Sequence, residues 1–123
     1  MTLNYGTLDH DGATYEAIPA RIVRTAIGPE DHGIFTIQLG FEWSGSGQGM
    51  PGYQFGRGDE RDLTGPYIRR VMTVVGVPRW EDVAGSSVYV LRAGGMIRGL
   101  ASVDDGAQRV FIAADLFAEE TVS

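Results

Sequence analysis

Hydrophobic and polar residues alternate most regularly between Ile34 and Trp43. The apolar positions of this alternation are Phe35, Ile37, Leu39, Phe41 and Trp43. A period of two is expected of an antiparallel strand with one buried face. The pattern therefore predicts a strand that anchors the core.

An earlier strand is predicted from Glu16 to Ile27, before a turn-forming segment at residues 28–33. Its alternation places Ile18, Ala20 and Ile22 on one face and Arg21, Val23 and Thr25 on the other. Pro19 cannot donate a hydrogen bond to a neighbouring strand, which predicts an edge strand or a strand start. Residues 1–15 show no period, and we expect an arm that is flexible or docks late.

Apolar residues recur at helical spacing from Tyr67 to Val75. Thr64 precedes them as the predicted N-cap, and Pro66 lies in the first turn. Gly76 follows the last apolar position, where glycine commonly ends a helix. The segment is therefore predicted to form an amphipathic helix.

The rest of the chain is predicted to form short elements. These are a second helix at 78–84 with Trp80 as its core anchor, strands at 87–92, 96–103 and 109–112, and a closing turn at 113–117. Together the elements predict one α+β domain over residues 1–123. Its antiparallel sheet of about five to six strands would pack against one amphipathic helix and a short second helix.

Composition excludes several classes of function. The chain has no cysteine, which excludes disulfides, thiolate metal sites and cysteine nucleophiles. The net charge of −6 disfavours binding to long nucleic acid. All ten cationic residues are arginine, so an anion site here would use planar guanidinium groups. No membrane-spanning run or secretion signal is visible, and we expect a cytoplasmic protein.

The segment from Gly45 to Gly58 is the main candidate for binding, because six of its fourteen residues are glycine. Part of it matches G-x-G-x-x-G, but strand-like residues follow instead of the helix that a dinucleotide fingerprint requires. Glycines allow a ligand to approach the backbone, aromatic faces stack bases, and guanidinium groups bind phosphates. The predicted ligand-binding residues of the segment and its surroundings are Gly47, Gln48, Gly49, Tyr53, Phe55, Arg57 and Arg61. A loop without a ligand, or one that contacts another subunit, is the open alternative.

Arg92 and Arg98 flank a glycine hairpin and are predicted to converge on the same anion. Arg69 and Arg70 fall on the polar side of the helix, where solubility explains them. The acidic and histidine clusters at residues 9–11 and 30–32 are typical of solvated turns, so neither a metal site nor a catalytic set is predicted.

Short motifs between residues 16 and 103 carry a resemblance to a known family. They are the segments 30–36 (EDHGIFT), 45–49 (GSGQG), 52–53 (GY), 74–77 (VVGV) and 80–82 (WED) with Gly85. This arrangement resembles small phage proteins that include the first type of Thoeris anti-defence proteins. The chain departs from them at Ser86 and Ser87, where basic residues are expected, and in a more acidic tail.

The resemblance implies a non-enzymatic protein in the host cytoplasm, without a cofactor, that sequesters cyclic nucleotide immune signals of the cyclic ADP-ribose type. It also implies that the pockets are built by a homo-oligomer. The sequence leaves two alternatives open. One is a phage accessory module that binds a host protein or single-stranded DNA through exposed aromatic residues, and the other is a small nucleotide hydrolase.

Overall fold

One antiparallel sheet contains the eight strands of the described residues. The computed structural model describes residues 2–4, 6–29, 35–50 and 64–116. The strands are β1 (Thr2–Asn4), β2 (Thr7–His10), β3 (Ala13–Pro29), β4 (Phe35–Trp43), β5 (Ser46–Met50), β6 (Ser87–Ala93), β7 (Met96–Ala101) and β8 (Val110–Ile112). The helices are α1 (Thr64–Val75) and a 3-10 helix (Trp80–Asp82), and residues 113–116 are also helical. The predicted α+β architecture is confirmed, with more strands than the five to six expected.

β3 is the longest strand and the centre of the sheet. Its residues 16–21 pair with β6 on one side. On the other side, residues 13–16 pair with β2 and residues 21–29 pair with β4. The order is β1-β2-β3-β6-β7-β8, with β4 paired to β3 and β5 to β4. The prediction of an edge strand here was therefore wrong.

Pro19 is accommodated at the gap between β2 and β4. The Ala17 N–H donates to the Gly6 carbonyl on the β2 side, at 2.7 Å, whereas the Ile22 N–H donates to the Ser86 carbonyl on the β6 side, at 2.9 Å. Backbone N–H groups point alternately to the two neighbouring strands. An N–H at position 19 would therefore point to the same side as the Ala17 N–H. The missing N–H of Pro19 thus falls where β3 pairs with neither β2 nor β4.

β4 confirms the alternation seen in the sequence. Ile37, Leu39 and Phe41 are buried, with 0 to 2% of each residue exposed. In β3 the alternation is broken by a bulge between Ile22 and Arg24. Thr25 consequently lies opposite Leu39, on the core face, and not on the face of Arg21 as expected, because one extra residue reverses the alternation.

The N-terminal residues expected to form an arm belong to the sheet. β1 pairs with β2, and β2 pairs with β3 through the turn at Asp11 and Gly12. Both turn residues have positive φ, 49° and 82°, as a tight two-residue hairpin requires. Leu8 is fully buried and fixes this hairpin to the protein.

The first part of the glycine segment is also sheet. Ser44 and Gly45 form a turn with positive φ, and Trp43 pairs with Ser46 across it. β5 then continues to Met50 along β4. The prediction of a loop was therefore wrong for residues 46–50, and the remainder of the segment lies outside the described residues.

α1 covers one face of the sheet and confirms the predicted helix. Tyr67, Val71 and Val74 are buried at helical spacing. They join a core cluster with residues of β3, β4, β6, β7 and β8, and Trp80 of the 3-10 helix packs against it as expected. A second cluster, which includes Leu8 and Leu91, forms the other core. Within the described chain, no helix has the length and apolar character needed to cross a membrane.

Candidate ligand-binding site

A pocket of about 710 Å³ lies between α1 and the residues that lead into β8. We call it the helix pocket. It is lined by Pro66, Arg69, Arg70, Thr73 and Val74 from α1 and by Gln108, Arg109, Val110 and Phe111 from the second segment. A cavity of about 460 Å³ adjoins it and shares Arg69 and Thr73.

Arg69 and Arg70 reach the helix pocket because of the apolar spacing in α1. Tyr67, Val71 and Val74 face the sheet, which leaves the two arginines on the exposed side of the helix. Arg69 makes no ion pair with any other residue of the described segments. Its guanidinium group is thus available to an anion, and guanidinium groups bind phosphate oxygens in bidentate fashion.

Arg109, the third arginine of the helix pocket, is committed to the fold. Its Nε and Nη2 donate to the carbonyls of Thr73 and Val74 at the end of α1, at 2.8 and 3.1 Å. Its guanidinium also pairs with Asp104 at 2.8 Å and with Asp105 at 2.7 Å. Since cations stabilise the carbonyl end of a helix, Arg109 ties α1 to the turn before β8 and holds one wall of the pocket in place.

Asp105 organises that turn. Its carboxylate accepts hydrogen bonds from the Ser102 hydroxyl, from the Gln108 N–H at 3.0 Å and from Arg109. The hydrogen bond from Ser102, followed by the backbone bond from Gln108 and the charge of Arg109, lowers the pKa of Asp105 below its ordinary 3.8.

This shift predicts an acid-sensitive contribution to stability. A carboxylate with a lowered folded-state pKa stabilises the fold above its unfolded pKa, and the contribution is lost as the pH falls through the folded pKa. We therefore expect the free energy of unfolding to fall below about pH 4 less steeply in Asp105→Asn than in the wild type. Urea unfolding between pH 2 and 6 measures how steeply the free energy of unfolding changes with pH in each variant.

Ser102→Ala should raise the pKa of Asp105, as followed by NMR of its carboxyl carbon. A wild-type pKa at or above 3.8 would contradict the assignment.

Three of the predicted ligand-binding residues lie in β5. Gly47 is opposite Glu42, and Gly49 is opposite Gly40, so both are part of the strand ladder. Gln48 donates from Nε2 to the Gly95 carbonyl at 2.9 Å. The structure thus brings Gln48 to the glycine hairpin between Arg92 and Arg98, as a contact within the fold.

Arg92 and Arg98 contact different groups near the glycine hairpin. Arg92 is opposite Ile97, which belongs to the core cluster under α1, whereas Arg98 has no opposite residue in β6 because the register between β6 and β7 shifts at this point. The Arg92 guanidinium carbon lies 5.8 Å from the centre of the Trp43 ring, a cation–π contact. Its buried Nε has no hydrogen-bond partner among the described residues.

Arg98 contacts the hairpin and lies near a tyrosine. Its Nε donates to the Ala93 carbonyl at 3.3 Å. Burial, with the negative charges of Asp115 and Asp11, raises the pKa of Tyr15, and Arg98 opposes this effect. The remaining predicted residues, Tyr53, Phe55, Arg57 and Arg61, lie outside the described residues.

The sequence did not single out the helix pocket. The spacing in α1 places Arg69 and Arg70 on its polar side, where solubility explains them, and the pattern around Arg109 predicts only the start of a short strand. A signal was present for Arg109, because α1 has no basic residue in its last turn and therefore needs a cation from elsewhere. Which cation this would be depends on a contact between residues 73–74 and residue 109, and no local pattern contains that information.

Comparison of the chain with protein-family models, with curated proteins and with solved structures finds no match.

Proposed function

We propose that this protein binds a small anionic ligand of the cyclic nucleotide class, of the cyclic ADP-ribose type, and sequesters it unchanged. The observation that carries the proposal is the helix pocket, where Arg69 and Arg70 line a cavity of about 710 Å³. Small-molecule pockets typically measure about 300 to 1,000 Å³, so a nucleotide fits in size.

Charge supports an anionic ligand. The whole chain carries −6, whereas among the described residues every charged side chain that lines the helix pocket is an arginine. A pocket can hold a local positive potential in an acidic protein, because nearby charges dominate at short range. Arg109 is balanced by Asp104 and Asp105, whereas Arg69 makes no ion pair within the described segments, so the proposal assigns a ligand phosphate to Arg69, with Arg70 in the same pocket wall.

The chemistry of the lining supports binding without turnover. The lining residues that the structure describes offer guanidinium, amide, hydroxyl and apolar groups, and none of these described residues is a carboxylate, histidine or lysine. Those are the side chains that most often act as general bases. Tight binding without turnover requires a pocket whose walls are fixed before the ligand binds. Arg109 fixes the α1 wall of this pocket through its hydrogen bonds to the Thr73 and Val74 carbonyls.

The proposal includes a homo-oligomer, as the resemblance implies. β8 supplies Val110 and Phe111 to the pocket wall, and β7 is its only partner strand within the described part of the chain. Because this edge adjoins the pocket wall, the proposal places the second copy at the outer edge of β8. Light scattering with and without ligand tests this part separately.

The experiment that tests binding removes the two arginines. We expect Arg69→Ala with Arg70→Ala to weaken binding about 100-fold or more, because a hydrogen bond to a charged group contributes about 1.5 to 3 kcal/mol. Isothermal titration with cyclic ADP-ribose isomers and cyclic dinucleotides measures the dissociation constants.

Arg21→Ala with Arg79→Ala is the matched control. It removes the same charge at exposed positions outside the pocket, and we expect a change of less than about threefold. Equal weakening in both double variants would show a general charge effect and refute the assignment. Binding of a host protein or of single-stranded DNA, with no binding of any cyclic nucleotide, would instead favour an interaction module.

A further inference from the structure

His10, Asp11 and Asp115 bring three donor atoms together at the side of the molecule where the N-terminal hairpin meets the helical residues 113–116. One imidazole nitrogen and one oxygen from each carboxylate all lie within 4.8 Å of one another. We propose that these three side chains bind a divalent transition-metal ion, with Zn²⁺ as the reference ion. The site shares no residue with the helix pocket.

The distances suit a metal of this size. His10 Nε2 lies 3.4 Å from Asp11 Oδ2. Two ligands bound at about 2.1 Å in tetrahedral geometry are about 3.4 Å apart, so this pair already has the spacing of a zinc site. Asp115 completes the set from the other end of the chain, with a carboxylate oxygen within 4.8 Å of the donor atoms of His10 and Asp11.

The three ligands are held by buried neighbours. Leu8, two residues before His10, is fully buried. Ala113 and Leu116 are fully buried on either side of Asp115 and fix the helical residues against the core. Preorganisation of this kind lowers the free energy needed to assemble a metal site.

The neighbouring carboxylate of Asp9 is used elsewhere, because it accepts a hydrogen bond from the Thr14 hydroxyl at 2.7 Å. The donor set is therefore one imidazole and two carboxylates, with positions left for water. An imidazole ligand favours transition metals over Mg²⁺ and Ca²⁺, which prefer oxygen ligands.

Such an ion would tie residues 10–11 to residue 115. Closing a loop of this length removes conformational freedom from the unfolded chain, so the ion would stabilise the fold. The site therefore acts as a clamp between the two ends of the sheet domain. It does not require that the helix pocket binds a nucleotide, so either proposal can fail alone.

The test measures thermal unfolding and zinc titration calorimetry of the full chain, after treatment with a chelator. We expect one Zn²⁺ per chain and a rise in Tm of roughly 5 to 10 °C when Zn²⁺ is about 100-fold above its Kd, reversed by chelator. Mg²⁺ at the same concentration should raise Tm by less than about 1 °C.

Variants separate the site from general binding of zinc to the surface. His10→Ala and Asp115→Asn should each weaken zinc binding about tenfold or more. His32→Ala, which removes the only other histidine, and Glu81→Gln, an exposed carboxylate, should leave the Kd within about twofold. Circular dichroism of the metal-free variants at 25 °C verifies that they are folded. The proposal is overturned if the wild type shows no rise in Tm, if His10→Ala binds zinc as well as the wild type, or if Mg²⁺ acts equally.

Discussion

Replacing Gly99 by alanine is expected to destabilise the protein by about 3 kcal/mol or more, the upper end of the overpacking range. Gly99 is buried in β7, opposite Ile112 of β8. A Cβ atom at this position would overlap the Phe111 carbonyl oxygen and lie 3.0 Å from the Ile112 Cα. Both contacts are with backbone, so β8 would have to move away from β7, and the wall of the helix pocket would move with it.

Gly49→Ala is the control for this substitution. Gly49 also lies in a paired strand, but a Cβ there would be 3.7 Å from the nearest atom, an ordinary van der Waals contact. We expect a change within about 1 kcal/mol. Urea unfolding of both variants gives the free energies. Equal stability of the two variants would show that β7 and β8 are not packed as described.

Replacing Tyr67 by alanine is expected to destabilise the protein by about 3 to 5 kcal/mol. Tyr67 is fully buried and is the largest such side chain among the described residues. Its ring meets Phe111 edge to face, with ring centres 5.1 Å apart and planes at 83°. This contact packs α1 against β8, and removal of the ring would leave a cavity at the base of the helix pocket.

A double-mutant cycle isolates the ring contact. Tyr67→Leu combined with Phe111→Leu should show a coupling free energy of about 0.5 to 1.5 kcal/mol. The matched cycle combines Tyr67→Leu with Leu8→Ala, in the second buried cluster, and should be additive within about 0.5 kcal/mol. Equal coupling in both cycles would indicate a general loss of packing and contradict a specific contact.

The elements with a strong local pattern were predictable from the sequence. β4 alternates over nine residues, and α1 has its apolar spacing, its proline in the first turn and its terminal glycine within one segment. Gly76 indeed ends α1 with φ of 82°. In both elements one face is buried, so the periodicity of the sequence reports directly on the fold.

Other parts of the sheet were missed because their signals are short. The Asp11-Gly12 turn is typical of a two-residue hairpin, but β2 before it has only four residues and β1 only three. β5 consists largely of glycine and polar residues, so no alternation of hydrophobicity marks it. The bulge at Val23 has no signature in the hydrophobic and polar pattern of β3. It nevertheless decides the face on which Thr25 lies.

The candidate site was the least predictable part. The helix pocket forms because Arg109 and Phe111 contact α1. These contacts bring residues 66–74 next to residues 108–111, which are far apart in the sequence. The same holds for Asp115, which joins His10 and Asp11 from more than a hundred residues away. Proximity in the sequence suggested that Arg92 and Arg98 act together, whereas Arg92 contacts the Trp43 ring and Arg98 contacts the Ala93 carbonyl.

The central claim is that the protein holds a cyclic nucleotide without changing it, and recovery of the bound ligand tests this most directly. Purified protein is incubated with cyclic ADP-ribose isomers and cyclic dinucleotides, and the free ligand is measured by mass spectrometry after filtration. The protein is then denatured by heat, and the released ligand is measured again. We predict that one ligand is depleted from the filtrate and returns after heating with its original mass. Failure to deplete any ligand, or return of a hydrolysed product, would contradict the account.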